Sequence, residues 1–251
     1  MNEDVLDTLV ALSRELGRPE HALVILGEGN TSARLEDGTF FIKGSGSQLA
    51  TIEPGQFSRV RTEPVLRMLE EPHMEERGVE AALRAALVDP RAPRPSIETM
   101  LHALCLTEGG ASFVGHTHAE AVNQVLCSRH GAEPFKEHIF PDAIVVCGRV
   151  PLVVPYVDPG LPLAVACRDA LRDYGQAHRA PPKLVLLVNH GIIALGQSPR
   201  EVLNITLMAQ KWARVLVGAL QLGGPRYLSA DSVDAIDSRL DEDYRRKQLS
   251  T

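Results

Sequence analysis

The segment LVLLVNHGIIALG, residues 184–196, joins two apolar runs through a short polar turn. Its first five residues are all apolar, which predicts a strand buried on both faces, because a half-buried strand would alternate apolar and polar side chains. Residues 192–195 predict a second strand, which ends at Gly196. The turn Asn189-His190-Gly191 between them is therefore expected at the edge of a buried sheet, where loops often carry functional residues.

Strand and helix patterns alternate along the rest of the chain. The turn Asp37-Gly38 predicts a β-hairpin from residues 30–35 and 39–43. Short strands are also predicted at residues 111–116, 143–146 and 151–155, whereas residues 51–73 are predicted to be irregular with a short helix. Apolar stripes predict helices at residues 4–16, 75–88, 119–128 and 161–174, and from Ser198 onward. This alternation predicts an α/β or α+β class with layers around one central sheet, and a single domain over residues 1–251.

The composition of the 251-residue chain excludes several classes of protein. Lys and Arg number 26 against 32 Asp and Glu, and the net charge of −6 argues against nucleic acid or a membrane surface as the main partner. No apolar run reaches the roughly 18–20 residues that a membrane helix needs. The first four residues, MNED, are acidic, unlike a signal peptide, so we expect a cytoplasmic protein. The four cysteines form no Cys-x-x-Cys pair, which excludes a dense disulfide framework and a cysteine zinc site.

Three histidines are the candidate metal ligands. His116 and His118 are two residues apart, so in a strand their side chains share one face and can reach a common point. A His-x-His pair by itself also fits two partly exposed histidines at a strand end. His190, at the end of a second buried strand, favours the metal interpretation, because three imidazoles form a natural site for zinc or a similar divalent ion.

Glu98 is the candidate acidic residue of such a metal site. It follows Pro95-Ser96 and falls in the first turn of a predicted helix, where a carboxylate is favoured by the helix dipole and can serve as a cap. Beside a divalent ion it could instead be a fourth ligand or a general base. His102, four residues further on, lies on the same helical face, and we interpret it as structural or as a support for the site.

Two turns rich in glycine, at residues 29–32 and 44–46, flank the predicted hairpin. Such turns offer backbone and hydroxyl donors to a phosphate or a sugar hydroxyl, although most glycine-rich turns have no ligand. Lys43, directly before the second turn, could add positive charge for an anionic substrate or could be a solvated strand residue.

Five motifs together carry a resemblance to a known family. In chain order they are Gly29-Asn30-Thr31-Ser32, Lys43-Gly44-Ser45-Gly46, Pro95-Ser96-Ile97-Glu98-Thr99-x-x-His102, Val114-Gly115-His116-Thr117-His118 and Asn189-His190-Gly191. Their order and approximate spacing resemble the class II aldolase/adducin family over roughly residues 5–220, leaving residues 221–251 as a C-terminal tail. Within that family, the chain is similar to fuculose-phosphate aldolase and to the aldolase part of rhamnulose-phosphate aldolase/dehydrogenase fusions.

The resemblance implies a fold and a metal centre. The fold is a three-layer α/β/α sandwich around a largely antiparallel sheet. The metal is a divalent ion, most often zinc, with manganese or cobalt as alternatives, bound by His116, His118 and His190. Glu98 is implied as the acid/base residue.

The resemblance also implies a substrate site. The phosphate of the substrate, where there is one, is expected against Asn30, Ser45, Gly46 and Ser96. Many family members that act on phosphosugars have a serine where this chain has Ile97. A lost hydroxyl donor removes a hydrogen bond to an anion, worth about 1.5–3 kcal/mol, so phosphate recognition is expected to be weakened or rearranged.

Family members are commonly tetramers with sites at subunit interfaces, so a homotetramer is expected. A C-terminal tyrosine from a neighbouring subunit can act as proton donor in this family, and Tyr227 and Tyr244 are the candidates here.

The function expected from the residues and the resemblance is a metal-dependent aldolase. It would cleave a ketose or ketose 1-phosphate through a metal-stabilised enediolate, with Glu98 moving the proton. A sugar-phosphate 4-epimerase or a decarboxylase on the same scaffold is the alternative, although epimerases of this family tend to carry aspartate at the position of Glu98. A non-catalytic adducin-like assembly module is the alternative of another class.

Overall fold

A computed structural model of the chain describes residues 2–239, 241, 242 and 248. Its strands in chain order are β1 (Asn30–Arg34), β2 (Thr39–Lys43), β3 (Phe57–Arg61), β4 (Phe113–Thr117), β5 (Leu152–Val154), β6 (Leu184–Leu187) and β7 (Gly191–Gly196). They form one mixed sheet in the spatial order β3-β2-β1-β4-β7-β6-β5. Neighbouring strands are antiparallel except β5 and β6, so the largely antiparallel sheet is confirmed.

Helices cover both faces of this sheet. They are α1 (Asn2–Leu16), α2 (Thr62–Arg67), α3 (Glu76–Ala86), α4 (Thr99–Thr107), α5 (Glu120–Leu126), α6 (Pro141–Cys147), α7 (Leu161–His178), α8 (Pro199–Gln221) and α9 (Ala230–Asp237). One core contains side chains of α1, α5, α6 and α8, and the other contains side chains of α2, α3, α4 and α7. The three-layer α/β/α arrangement is therefore confirmed.

Strand β6 shows why the segment around residue 184 decides the fold. Leu184 and Leu186 point into the core that contains α8, and Val185 and Leu187 point into the core that contains α4 and α7. Each such side chain contributes about 1.5–3 kcal/mol when it is fully removed from water. A polar residue at any of these four positions would lose that contribution on one face or the other.

The predicted hairpin is confirmed, and its turn is glycine-dependent. Strands β1 and β2 pair antiparallel with Ser32 opposite Ile42. Gly38, in the turn, has a φ of +77°, a conformation that costs glycine little. Over the described ranges, no helix combines the length and the apolar character needed to cross a membrane.

The strand predicted at residues 143–146 is wrong, because these residues belong to helix α6. Residues 143–147 are all buried, and Ala143, Val146 and Cys147 lie in the same core as α8. A fully buried helix and a fully buried strand give the same unbroken apolar run in the sequence, so periodicity cannot separate them. Pro141 opens the helix, where its missing N–H is not needed, and Gly148 with a φ of +87° follows the last residue.

The irregular structure predicted for residues 51–73 is also wrong in part. Residues 57–61 form β3, an edge strand that pairs antiparallel with β2 and places Val60 opposite Phe40. Arg59 and Arg61 interrupt the apolar pattern of this strand, because an edge strand is only partly covered. The short helix predicted in this stretch is confirmed as α2.

Candidate functional site

The three candidate histidines meet where β4 ends and β7 begins. These strands are antiparallel neighbours with His116 opposite Ile193, so the end of β4 lies beside the start of β7. His118 follows β4 directly, and His190 directly precedes β7. The tight reversal between β6 and β7 needs Asn189 in the left-handed region, with a φ of +58°, which asparagine tolerates better than most residues.

The three imidazole rings surround a common point. The centroids of His116, His118 and His190 are 5.0, 5.0 and 5.1 Å apart in pairs, and the rings are inclined to one another by 69–81°. One ligand atom from each histidine lies within 4.8 Å of the other two. The expectation that the two strand ends bring these side chains together agrees with this geometry.

The protonation of the rings suits a metal ion. His116 Nδ1 donates a hydrogen bond to the carbonyl oxygen of Ile192 at 2.9 Å, which leaves the lone pair of its Nε2 facing the cluster. Burial lowers the pKa of His116, although the charge of Glu98 opposes that effect. Burial and the neighbouring His116 and His190 lower the pKa of His118 to about 4. Both rings are therefore neutral at pH 7, which is the form that binds metals.

Glu98 faces the same point from the other side of the sheet edge. Its Oε2 lies 3.4 Å from His116 Nε2, and its Oε1 lies 3.2 Å from His190 Nε2. Burial alone raises the pKa of this carboxyl, but electrostatic interactions with the His116 and His190 imidazoles and the hydrogen bond from Asn30 outweigh burial and lower it. Glu98 immediately precedes α4 and so lies outside the first turn in which the sequence predicts it. Its side chain makes no capping hydrogen bond. The capping explanation is therefore wrong.

A chain of buried polar side chains holds Glu98 in place. Asn30 Nδ2 donates to Glu98 Oε2 at 2.7 Å, and Asn30 Oδ1 accepts from His102 Nε2. His102 Nδ1 accepts in turn from the hydroxyl of Ser32 at 2.6 Å. Burial lowers the pKa of His102 to about 3, which keeps the ring neutral as this pattern requires. The supporting position predicted for His102 agrees with these contacts.

The donor set fits a divalent cation. The Nε2 atoms of His116 and His118 are 3.1 Å apart, which together with the two contacts of Glu98 gives ligand-to-ligand distances of 3.1–3.4 Å. Four ligands at the usual zinc distances around a tetrahedral centre are separated by about 3.3 Å. His190 Nδ1 is buried and has no hydrogen-bond partner among the described residues. Converging nitrogen lone pairs and a carboxylate are satisfied together by a cation.

The four residues expected to hold a phosphate fall into two groups with different contacts. Asn30 is committed to Glu98, and Ser96 Oγ accepts from the Glu98 backbone N–H at 3.2 Å and from Asn30 Nδ2 at 3.3 Å. Ser45 and Gly46 are exposed, and the Ser45 N–H donates to the carbonyl oxygen of Arg94 at 2.8 Å. Ile97 is 43% exposed and offers no hydroxyl. Asn30 and Ser96 thus touch Glu98, whereas Ser45 and Gly46 form a separate exposed turn.

Lys43 is buried at 2% exposure, so its interpretation as a solvated strand residue is wrong. Its Nζ donates to the carbonyl oxygen of Gly27 at 3.2 Å. Burial lowers the pKa of Lys43, and the charge of Glu98 opposes that effect. The buried ammonium interacts electrostatically with Glu98 and therefore places positive charge near the candidate site.

Of the two tyrosine candidates, the one that the structure describes, Tyr227, is not part of this cluster. Tyr227 is 37% exposed in the segment between α8 and α9, and burial and the charge of Glu137 raise its pKa. Within residues 2–239, no hydrogen bond or ring contact joins Tyr227 to Glu98 or to the histidines. Tyr244 lies outside the described residues.

Glu28 is a residue at the site that the sequence analysis missed. Its Oε1 lies 3.8 Å from His118 Nδ1, and its Oε2 accepts from the Ile25 N–H at 3.0 Å. Its position between Gly27 and Gly29 was the available signal, because a carboxylate in a bend beside Asn30 is carried towards the same sheet edge.

We expect Gly191→Ala to disturb the candidate metal site through the backbone. A Cβ at Gly191 would lie 2.5 Å from the carbonyl oxygen of Thr117 and 3.0 Å from His118 Cδ2. The expected cost is about 1–3 kcal/mol in the free energy of unfolding, with zinc affinity at least about tenfold weaker. Gly175→Ala in α7 is the control, because nothing lies within 4 Å of its added Cβ, and it should be neutral or slightly stabilising. Denaturant unfolding and zinc titration measure both quantities, and an unchanged Gly191→Ala protein would contradict the packing described here.

Comparisons with known proteins agree with this fold. The Class II Aldolase and Adducin N-terminal domain model matches residues 7–217. YuxG of Bacillus subtilis (strain 168), described as an uncharacterized oxidoreductase, is 28% identical over 214 residues, which are 80% of this chain and 29% of YuxG. The chain thus spans less than a third of the length of that relative.

Solved structures show the same architecture. An L-fuculose 1-phosphate aldolase is 20% identical, with a TM-score of 0.72 over 95% of this chain and 96% of that chain. YgbL from Klebsiella pneumoniae, whose description offers aldolase, epimerase or decarboxylase, is 23% identical, with a TM-score of 0.70 over 93% of this chain and 98% of that chain. These identities support the fold alone, but the family model covers most of the chain. The chain belongs to the class II aldolase and adducin N-terminal domain family.

Proposed function

We propose that this protein is a metal-dependent aldolase that cleaves a ketose or a ketose 1-phosphate. The observation that carries the proposal is the convergence of three imidazoles and the Glu98 carboxylate on one point, with nearest contacts of 3.1–3.4 Å. An assembly module needs no such set of buried ionisable groups, which cost stability unless they serve a ligand.

His116, His118 and His190 would hold the divalent cation, for which zinc is the best candidate because the set is rich in imidazole. When bound, the cation would act as a Lewis acid that polarises a carbonyl group of the substrate. His116 is fixed for this task by its hydrogen bond to the Ile192 carbonyl oxygen, which sets the tautomer of the ring.

Glu98 would move the proton. In the cleavage direction, the hydroxyl beside the breaking C–C bond loses its proton, the aldehyde leaves, and the carbon that keeps the bonding electrons takes up a proton. No oxidant, reductant or water is consumed. Asn30 orients the carboxylate, and the interactions around Glu98 keep it ionised, which is the form that a proton acceptor needs.

The same residues support a sugar-phosphate epimerase or a decarboxylase as the second candidate. Both reactions generate the same kind of electron-rich carbon beside a carbonyl group, and YgbL, which has this fold, is described with all three activities as options. The cleaved aldehyde is released in an aldolase and retained in an epimerase, so the products separate them.

The experiment is a product screen on zinc-loaded protein. Ketoses and ketose 1-phosphates, labelled with carbon-13, are incubated with the protein, and the carbon-13 NMR spectrum is followed. Release of a free aldehyde supports the aldolase, and inversion without release supports an epimerase. Ketoses have no carboxyl group, so a carbon-13-labelled hydroxy keto acid is added to the screen, and release of carbon dioxide from it supports a decarboxylase. Because Ile97 replaces a hydroxyl, we propose that unphosphorylated ketoses are turned over at least as well as their phosphates.

The quaternary structure and compartment belong to the same proposal. We propose a cytoplasmic homotetramer in which Tyr227 or Tyr244 of a neighbouring subunit reaches the site, since Tyr227 does not reach the site of its own chain. Light scattering measures the mass of the assembly, and a monomer would remove Tyr227 from the mechanism and would exclude Tyr244 of a neighbouring subunit.

A further inference from the structure

A cavity of about 470 Å³ opens beside His118. It is lined by residues 22–25, by Glu28 and His118, and by Glu120, Asn123 and Gln124 of α5. Its volume is in the range of small-molecule sites. A larger cavity of about 820 Å³ includes Arg34 and Ser112 in its lining. These residues lie at the end of the β1–β4 pair that is away from His116, so this cavity is remote from the histidines.

The polar groups of the cavity beside His118 are mainly hydrogen-bond acceptors. Glu28 Oε1 is 3.8 Å from His118 Nδ1, and both side chains line the cavity. Asn123 Nδ2 donates to the carbonyl oxygen of His190 at 3.0 Å, which fixes the amide. Asn123 Oδ1 is buried and has no hydrogen-bond partner among the described residues. A buried acceptor in this state needs a donor, and a hydroxyl group of a ligand supplies one.

The charge of the lining is one-sided. Glu28 and Glu120 are both carboxylates, and no lysine or arginine among the described residues lines the cavity. Lys43, a buried cation of this region, does not line the cavity and instead interacts electrostatically with Glu98. A phosphate or carboxylate placed beside Glu28 and Glu120 would meet two like charges, and no described lysine or arginine of the lining offsets them.

We propose that this cavity binds the neutral, hydroxyl-bearing end of the substrate, and that Glu28 is a specificity-determining residue that excludes an anionic group from that end. The inference rests on the proposed function, because it assumes that the substrate reaches the metal centre. It adds a direction to substrate binding: hydroxyl groups lie towards Glu28 and Asn123, and any anionic group lies on the Lys43 side.

The test compares two probes that cannot react by cleavage. Xylitol and xylarate have the same three inner hydroxyl groups, but their ends are neutral alcohols or carboxylates. Binding to zinc-loaded protein is followed by NMR through the methyl groups of Val24 and Ile25, which line the cavity. We expect xylitol to shift these methyl resonances. Because the carboxylates of xylarate can also coordinate zinc, the effect of Glu28 is measured by how the affinity for xylarate changes when Glu28 is replaced.

The variant Glu28→Gln isolates the charge. It should strengthen xylarate binding about tenfold and change xylitol binding by less than about threefold, because it removes a like charge and keeps a hydrogen-bonding group. Attraction of xylarate to zinc is present in both proteins and cancels in this comparison. Gln124→Lys, an exposed change at the rim, should also favour xylarate and serves if Glu28→Gln does not fold. Glu76→Gln, at an exposed position of helix α3, is the control and should change the binding of neither probe.

The inference is overturned if xylitol leaves both methyl resonances unchanged, as it would if a second copy of the chain fills the cavity. It is also overturned if Glu28→Gln leaves the ratio of the two affinities as it was. Methyl shifts without aldehyde release in the product screen would instead reject the aldolase and leave the cavity assignment standing.

Discussion

Replacement of His116 by alanine is expected to abolish metal binding and turnover together. His116 is fully buried, contacts His118 Nε2 at 3.1 Å and lies 3.4 Å from Glu98, so it is at the middle of the cluster. Loss of one of three protein ligands should weaken zinc affinity on the order of 10²–10³-fold. The zinc content after dialysis, measured by elemental analysis, should fall from about one zinc per chain to less than about a tenth of a zinc per chain.

Controls separate metal loss from unfolding. His73→Ala removes an exposed histidine outside the cluster and should keep its zinc. His118→Ala, at a less buried position, should lose zinc with a smaller loss of stability than His116→Ala. Circular dichroism reports whether each variant is folded. A folded His116→Ala protein with full zinc content would remove this residue from the ligand set.

Glu98→Gln is expected to keep the metal and lose turnover. The amide fits the space of the carboxylate and can still accept the hydrogen bond from Asn30, but it cannot take up a proton. A loss of about 10²–10⁴ in kcat is expected for removal of a general acid–base group. The zinc content and the KM of the substrate should change by less than about threefold.

The same variant distinguishes the two roles that remain open for Glu98. If Glu98 were mainly a fourth metal ligand, Glu98→Gln would lose zinc along with activity. Normal turnover in a zinc-loaded Glu98→Gln protein would exclude it as the proton carrier. Glu76→Gln is again the matched control, because it removes an exposed carboxylate that lies outside the site.

The sequence could predict the histidine cluster because local rules fix its parts. A spacing of two residues puts His116 and His118 on one face of a strand, and the end of an apolar run puts His190 at a sheet edge. The structure brings all three rings to centroid distances of 5.0–5.1 Å. The sequence did not predict the antiparallel pairing of β4 with β7, which completes the site; the family resemblance implied only a largely antiparallel sheet.

The supporting contacts could not be predicted, because they join residues that are far apart in the chain. Asn30 and His102 are separated by 72 positions, and nothing local in either segment indicates that one fixes the other. Glu28 was missed for a similar reason: its proximity to His118 depends on how the bend at residues 27–29 folds over the sheet edge. The helix at α6 was taken for a strand because burial on all sides erases the periodicity on which such predictions depend.

A crystal structure of the zinc-loaded protein, with anomalous scattering recorded at the zinc edge, locates the cation itself. We expect one strong peak about 2.0–2.1 Å from a ring nitrogen of each of His116, His118 and His190, with the Glu98 carboxylate beside it. A zinc-loaded crystal with the peak elsewhere, or with the three rings turned away from a shared centre, would contradict a metal-dependent reaction at this sheet edge.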